Sequence, residues 1–391
     1  MSTREQHLTA EEAADYLGVS RATLYAYVSR GLVLSEPPAG SASRSRRYPR
    51  EGLDTLRARR EERRDPAGRA LRGGAPVLES SLSLIADGRL WYRGRDACEL
   101  SRTATLEEVA CLLWSGTSDG AEDLFPRTSS RRSRRSGSLA DWLVACLVEE
   151  RARHPVTLAE PTATALRAAA RTISALFDAA GATGAGTLAV RLARGWRTAS
   201  SDDLRAALVL CADHELNTSA FTARCVASTD APVHTVLLAA LCALEGRRHG
   251  GAAGRDVCDL LDDIERLGAE DACRRVLARR GWLPGFGPRH TLYPDGDPRA
   301  AELLRRLDLP ATDPAAQALA FAREVEGDAG PTLELALAAL ARRARLPDDA
   351  AFALFALGRS VGWVAHALET AREGTLIRPR ARYVGPAPEA G

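Results

Sequence analysis

The chain has 391 residues, and all 53 of its basic residues are Arg, set against 51 acidic residues for a net charge of +2. The absence of Lys excludes a Schiff base to pyridoxal phosphate or to a carbonyl substrate, a P-loop with its phosphate-binding Lys, and a protein-kinase strand Lys. Any anion is therefore held by Arg, His, backbone N–H groups or helix N-termini.

The length allows two or three domains. Apolar residues make up 45% of the chain and aromatics only 5%, and Ala/Leu-rich amphipathic stretches recur throughout, so an all-α fold is expected. No apolar run of membrane-spanning length and no charged-then-apolar leader is visible, which predicts a soluble, cytoplasmic protein. The eight Cys lie scattered without a C-x-x-C pair. They are expected to be small buried side chains in a reducing compartment, with no metal site and no disulfides.

Three zones follow in chain order: 1–64, charge-rich and helical; 65–76 (DPAGRALRGGAP), a linker; and 77–391, a long helical region. The Arg/Ser-rich patch Thr128–Gly137 is taken as a solvated loop between helices.

In the first zone, Thr9 and Glu12 form a capping box before a helix with Ala13, Ala14 and Leu17 inward. Gly18 turns the chain, and Ser20 caps a second helix with Leu24, Tyr25 and Val28 inward, ended by Gly31. Two short helices on so tight a turn make a helix-turn-helix. With the loop Ser43–Tyr48 and a charged helix from Glu51, the segment LTAEEAADYLGVSRATLYAYVSRGLV…SRSRRYPREGLDTL resembles the excisionase/MerR type of winged helix-turn-helix. That resemblance implies that Ser20, Arg21, Thr23 and Tyr27 face a DNA major groove and that Arg44, Arg46 and Arg47 contact phosphates. Residues 1–72 hold 14 Arg against 10 acids, while the remainder holds 39 Arg against 41 acids. The basic excess thus sits where DNA contact is expected. A dimerisation or capping module is the alternative.

Four later segments combine His, Arg, Gly and acid in ways no helical core requires. They are Cys211–Asn217 (CADHELN), Arg247–Ala252 (RRHGGA), Gly285–Arg299 (GFGPRHTLYPDGDPR) and Phe355–His366 (FALGRSVGWVAH). His214, His249 and His290 stand beside Gly and Arg, whereas His154, His234 and His366 are expected to be ordinary core or surface residues. Metal ligation is open to the first three, but the abundance of Arg favours carboxylate substrates.

These segments, with LSLIADGRLWYRGRDACELSRTATLEEVACLLWSG near residues 82–116 and the closing RPRARYVGP, resemble citrate synthases and 2-methylcitrate synthases over residues 77–387. The resemblance implies an all-α homodimer with a large domain (about 77–215 and 330–391) and a small domain (about 216–329), the active site lying in the cleft between them. It implies condensation of acetyl-CoA or propionyl-CoA with oxaloacetate, with no cofactor beyond the acyl-CoA substrate. His249 then donates to the thioester carbonyl and His290 to the ketone. His214, Arg299, Arg359 and, from the partner subunit, Arg378 hold the carboxylates of oxaloacetate. The Gly residues of the GFG loop permit close backbone approach to CoA.

Two positions depart from the family pattern. Glu334 stands in Pro331–Leu335 (PTLEL) where the family has its Asp base, and Pro288-Arg289 intervene between GFG and His290. A second function therefore stays open: a DNA-binding regulator whose catalytically weakened, synthase-like body senses citrate, oxaloacetate or acyl-CoA. A related lyase or acyl-CoA condensing enzyme on the same scaffold is a third.

Overall fold

The computed structural model describes the chain except residues 1–6, 31, 37–45, 51, 55, 57–77, 129–136, 159–161, 247–248, 287–291, 294–295, 327–329, 382 and 387–391. The expected linker 65–76, Arg44, Gly31, most of the Arg/Ser patch, the Pro288-Arg289 pair and His290 lie outside the described residues. Two compact units are present, Met1–Glu79 and Ser80–Gly391.

The first unit contains β1 (His7–Leu8), α1 (Ala10–Leu17), α2 (Arg21–Ser29) and β2 (Tyr48–Pro49). The capping box forms as expected: Thr9 N–H donates to Glu12 Oε2 (2.8 Å) and Glu12 N–H to Thr9 Oγ1 (3.3 Å). Gly18 closes α1 in the left-handed region at φ 59°, where a side chain would be strained. Ser20 Oγ accepts the Thr23 N–H and caps α2. β1 and β2 pair antiparallel, and Glu36 and Arg47 form a further antiparallel bridge, so the chain folds back as a wing. Ala13, Ala14, Leu17, Leu24, Val33, Tyr48, Leu53 and Leu56 make a small core. The two tyrosines of α2 exchange their expected sides. Tyr25 is 49% exposed, whereas Tyr27 packs on the core beside Val28. Positions 24, 27 and 28 follow the i, i+3, i+4 stripe of a core-facing helix; position 25 is off it.

The second unit begins with strands that the all-helical expectation missed: β3 (Ser83–Ala86), β4 (Arg89–Tyr92) and β5 (Arg95–Asp96), an antiparallel meander in the order β3-β4-β5. Both turns have two consecutive residues at positive φ, Asp87-Gly88 (51°, 70°) and Arg93-Gly94 (46°, 78°). This is the geometry that matches strand twist in two-residue hairpins, and Asp-Gly is its strongest sequence signal.

Fifteen helices follow among the described residues: α3 (Ala97–Thr103), α4 (Leu106–Ser115), α5 (Ala121–Leu124), α6 (Leu139–Arg153), α7 (Thr162–Ala179), α8 (Leu188–Gly195), α9 (Ser201–Cys211), α10 (Thr218–Ala227), α11 (Val233–Leu244), α12 (Gly250–Leu267), α13 (Ala269–Arg280), α14 (Pro298–Leu307), α15 (Pro314–Glu326), α16 (Leu333–Arg343) and α17 (Ala350–Glu373). α17 packs against α4, α9, α10 and α11. It is long and apolar enough to cross a membrane by composition, yet its apolar window is wholly buried, so it acts as the core helix of this unit.

Two glycines let α17 approach the end of α9. A Cβ on Gly358 would lie 2.6 Å from Leu208 O, and one on Gly362 would lie 2.3 Å from Ala212 O. Close packing of this kind brings the middle of α17 directly against the segment after α9.

Candidate active site

The segment after α9 is held from two sides. Tyr92 of β4 is fully buried, and its hydroxyl lies 3.1–3.3 Å from the carbonyls of Val209, Leu210 and Asp213. It plugs the C-terminal end of α9, where helical carbonyls lack partners. β3 adds Ser83 Oγ donating to Asp213 Oδ2 (2.5 Å) and Ile85 N–H donating to Glu215 Oε1 (2.7 Å). The missed sheet therefore anchors the turn that carries His214.

His214 is buried, with Nε2 3.0 Å from the Tyr293 hydroxyl. The Arg299 guanidinium carbon lies 5.9 Å from the Tyr293 ring centre, which connects His214 to the start of α14. There Asp297 caps the helix and also grips Arg299 at two points, Nε to Oδ1 (3.0 Å) and Nη2 to Oδ2 (2.7 Å). Arg299 Nη1 is buried without a partner among the described residues.

Arg359, from the middle of α17, is 1% exposed. Its Nε donates to Cys211 O (2.7 Å) and its guanidinium carbon lies 4.9 Å from the Phe355 ring centre. Neither Nη has a partner among the described residues. Burial, then the nearby charge of Arg299, depress its proton affinity against the opposing pull of Asp213. It nevertheless stays a guanidinium cation. Removing a cation from water costs several kcal/mol unless donors find acceptors. Two cations in this region thus carry three buried Nη groups without partners among the described residues.

His249 is the N-cap residue of α12, half-buried, and its pKa is pushed down to about 4, by burial first and then by Arg359. The ring is therefore neutral near pH 7. Its Nε2 lies 3.1 Å from Ser219 Oγ, which also receives the Trp363 Nε1–H (3.1 Å) and lies 2.9 Å from Asn217 Oδ1. Gly250 beside it packs closely, since a Cβ there would lie 3.0 Å from Leu244 Cδ1.

Glu334 is half-buried in the first turn of α16. Thr332 N–H donates to Gly285 O (2.9 Å), and Phe286 bridges Pro331, so the GF segment is pinned beside the carboxylate-bearing turn. Gly285, at φ +85°, makes a close approach of its own: an added Cβ would lie 3.2–3.3 Å from Leu335 and Val257. Cys211 shows how these groups converge. Burial pushes its thiol up to about 12, and the charges of Arg359, Arg299, Glu334 and Asp297 all act on it.

The structure thus brings His214, His249, Arg299, Arg359 and Glu334 around one buried region. Arg378 does not join them within the chain; it lies exposed in the extended segment after α17. Asp213, Tyr293, Asp297, Ser219, Trp363 and His366 were not singled out as site residues, although all lie within or beside the motifs that were. His366, expected to be an ordinary core residue, is fully buried with Nε2 3.2 Å from Asp213 Oδ1. His234 is an ordinary core residue as expected, bonded to Thr172 (3.0 Å).

In the first unit, Ser20 and Thr23 pair at the start of α2 (2.9 Å) and Arg21 is exposed beside them. Arg46 is exposed and donates to Ser35 Oγ (2.6 Å), while Arg47 lies at the wing bridge.

The helical scaffold thus carries two buried guanidinium groups, a neutral imidazole and a carboxylate. The chain belongs to the citrate synthase family: the C-terminal domain of citrate synthase matches residues 143–380, and a helix-turn-helix domain matches residues 8–61. A putative citrate synthase 2 of Mycobacterium tuberculosis is 41% identical over 192 residues, which are 46% of this chain and 51% of the relative. The chain thus spans about half the length of that relative. The 2-methylcitrate synthase of the same organism is 29% identical over 338 residues, 76% of this chain and 84% of the relative. The crystal structure of citrate synthase from Thermotoga maritima superposes with a TM-score of 0.65 at 26% identity, covering 81% of this chain and 96% of that one.

Proposed function

We propose that this protein is a citrate synthase-type acyltransferase, condensing acetyl-CoA or propionyl-CoA with oxaloacetate and water to give citrate or 2-methylcitrate and CoA. The observation that carries this is the pair Arg299 and Arg359, two buried cations with three Nη groups lacking partners among the described residues. Oxaloacetate is a dianion that fills such donors without any Lys.

The side chains divide the work. Glu334 removes a proton from the acyl carbon next to the thioester carbonyl. His249 donates an N–H to the thioester oxygen, where the enolate charge develops. The Ser219 hydroxyl governs that donation. When its proton turns from Asn217 to His249 Nε2, the neutral ring carries its own proton on Nδ1 and offers it to substrate. The enolate carbon then bonds to the ketone carbon of oxaloacetate. His214 and the two arginines hold the dianion in line, and His290 is assigned the proton that the ketone oxygen takes up. Water then attacks the thioester carbonyl, the C–S bond breaks, and CoA leaves as the thiol. The chain is assigned a homodimer in which Arg378 enters the partner's cleft between the large and small domains.

Purified protein given oxaloacetate and acetyl-CoA or propionyl-CoA is expected to release free thiol, read with a thiol reagent. If no thiol appears with either while citrate still raises the melting temperature, the sensor reading replaces the enzyme.

The helix-turn-helix match favours a second role, DNA binding by the first unit through Ser20, Arg21 and Thr23 at the start of α2 and Arg44, Arg46 and Arg47 of the wing. Salt-sensitive retention on DNA by the intact chain, lost on deleting residues 1–64, supports it. No retention by the intact chain removes it.

A further inference from the structure

The reaction above does not touch His366, yet this fully buried imidazole faces a fully buried carboxylate, Asp213, beside the substrate site. We propose that His366 is a positioning residue: by holding Asp213, it keeps that carboxylate away from Arg359 and leaves both Arg359 Nη groups open for the dicarboxylate.

Positions 359, 362 and 366 follow one face of α17, one turn apart. A Cβ on Gly362 would lie 2.4 Å from Asp213 Oδ1. Asp213 therefore lies over the helix between Arg359 and His366. A carboxylate and a guanidinium buried side by side ordinarily close into a two-point pair, and Arg299 with Asp297 does so in this very site. Arg359 does not. Its Nε is taken by Cys211 O, and its two Nη groups meet no partner among the described residues. Asp213 Oδ2 accepts from the Ser83 hydroxyl at 2.5 Å, and Oδ1 lies 3.2 Å from His366 Nε2, an ion-pair distance at which neither atom has hydrogen-bond geometry.

Asp213 still acts on Arg359 through space. Burial alone raises the Asp213 carboxyl, but His366, Arg359 and Ser83 outweigh it and hold it below the usual carboxylate range. The buried cation thus has a counter-charge nearby without surrendering the donors that bind substrate. Without His366, Oδ1 loses the group 3.2 Å from it, and Arg359 is left as the cation acting on Asp213.

This inference rests on the dicarboxylate reading of the site, and the test separates the two. Oxaloacetate, malonate and succinate are titrated calorimetrically into the wild type; binding of none refutes the dicarboxylate reading and the inference with it. With whichever of them binds, His366→Phe is expected to weaken binding about tenfold or more, while His366→Gln, which keeps an N–H donor, stays within about threefold. Adding Asp213→Asn to His366→Phe is expected to restore most of the loss, because the competing carboxylate is gone. If activity is present, the KM for oxaloacetate rises with His366→Phe while that for acyl-CoA does not, a split that general loosening of the core would not give. Unchanged binding in His366→Phe, or a double variant as weak as the single one, overturns the proposal. His366→Met replaces His366→Phe if the latter does not fold. A ligand-free crystal structure of the folded apolar variant decides independently of substrate. Asp213 within hydrogen-bonding distance of Arg359 Nη upholds the proposal, and an unmoved Asp213 refutes it.

Discussion

Arg359 Nε donates to the carbonyl oxygen of Cys211 at 2.7 Å, joining the middle of α17 to the last residue of α9. This one bond fixes the direction of a buried guanidinium while consuming only one of its five N–H donors. Arg359→Met removes a buried cation whose Nη groups find no partner among the described residues, but it also takes away the donor to Cys211 O and the positive charge facing buried Asp213, so it should lower the melting temperature in the absence of ligand, by about 3–5 kcal/mol as for the loss of one partner of a buried charge pair. The same change should lower kcat/KM for oxaloacetate by about 100-fold, given roughly 1.5–3 kcal/mol for a hydrogen bond to a charged group. Thermal melting with and without oxaloacetate, alongside steady-state kinetics, checks both halves.

Ser219 carries two groups at once, the Trp363 indole N–H and His249 Nε2. Ser219→Ala leaves the buried indole N–H unpaired and should cost about 1–3 kcal/mol of stability. It also frees the tautomer of His249, so kcat should fall by about 10–100-fold with the KM for oxaloacetate little changed. Denaturant unfolding and kinetics on the same preparation test the pair; normal turnover in a destabilised variant would remove Ser219 from the proposed chemistry.

Glu334→Asp should increase the rate, because it returns the shorter carboxylate that the family carries at this position, and about 1 Å of placement can change a rate on the order of 100-fold. Glu334→Gln should abolish thiol release. A rate for Glu334→Asp equal to or below that of the parent would mean that the backbone around α16 has adapted to Glu.

The pH dependence follows from two histidines. Burial is the larger cause for both, and each is pushed down to about 4 from a usual 6.5. Their depressed values mean that the unfolded chain binds more protons than the folded one between pH 6.5 and 4. Stability contributed by keeping these rings neutral is thus present above about 6.5 and lost as pH falls toward 4. The melting temperature should drop across this window, and less steeply for His234→Gln. Turnover limited by His249 protonation should persist well below pH 6.5, since neutral His249 is the competent form.

Gly362→Ala should be severely destabilising, because the new Cβ would lie 2.3 Å from the Ala212 carbonyl oxygen and 2.4 Å from Asp213 Oδ1. Two packed backbones must separate to admit it, at a cost of roughly 1–3 kcal/mol or more. Circular dichroism melting checks this, and any folded fraction should bind oxaloacetate weakly because Arg359 moves with α17 away from Asp213 and the segment after α9.

Local chemistry made several elements visible in the sequence. The Thr9–Glu12 capping box, the Gly18 turn and the Ser20 cap depend on residues within a few positions of each other, and all three form as expected. The sheet β3–β5 was equally local, since Asp87-Gly88 is a strong hairpin signal, but the surrounding Ala/Leu-rich helices masked it. The two tyrosines of α2 were misassigned because a short helix with few apolar residues leaves its rotation undetermined until a core exists to receive one face.

Residue types in four motifs determined by themselves that any anion held at this site must be held by Arg, His or backbone N–H groups, because the chain has no Lys. They also determined most of the groups around the site, including His214, His249, Arg299, Arg359 and Glu334. What tertiary structure alone decided is which of those cations has no carboxylate partner among the described residues. Asp297 is two residues from Arg299 and grips it, a pairing within one helix start. Asp213 lies 146 positions before Arg359 in the chain, and only the close crossing of α17 over the end of α9 brings it near, with His366 beside it. A buried charge takes its meaning from its neighbours in space, and sequence spacing does not specify those neighbours when they come from different helices.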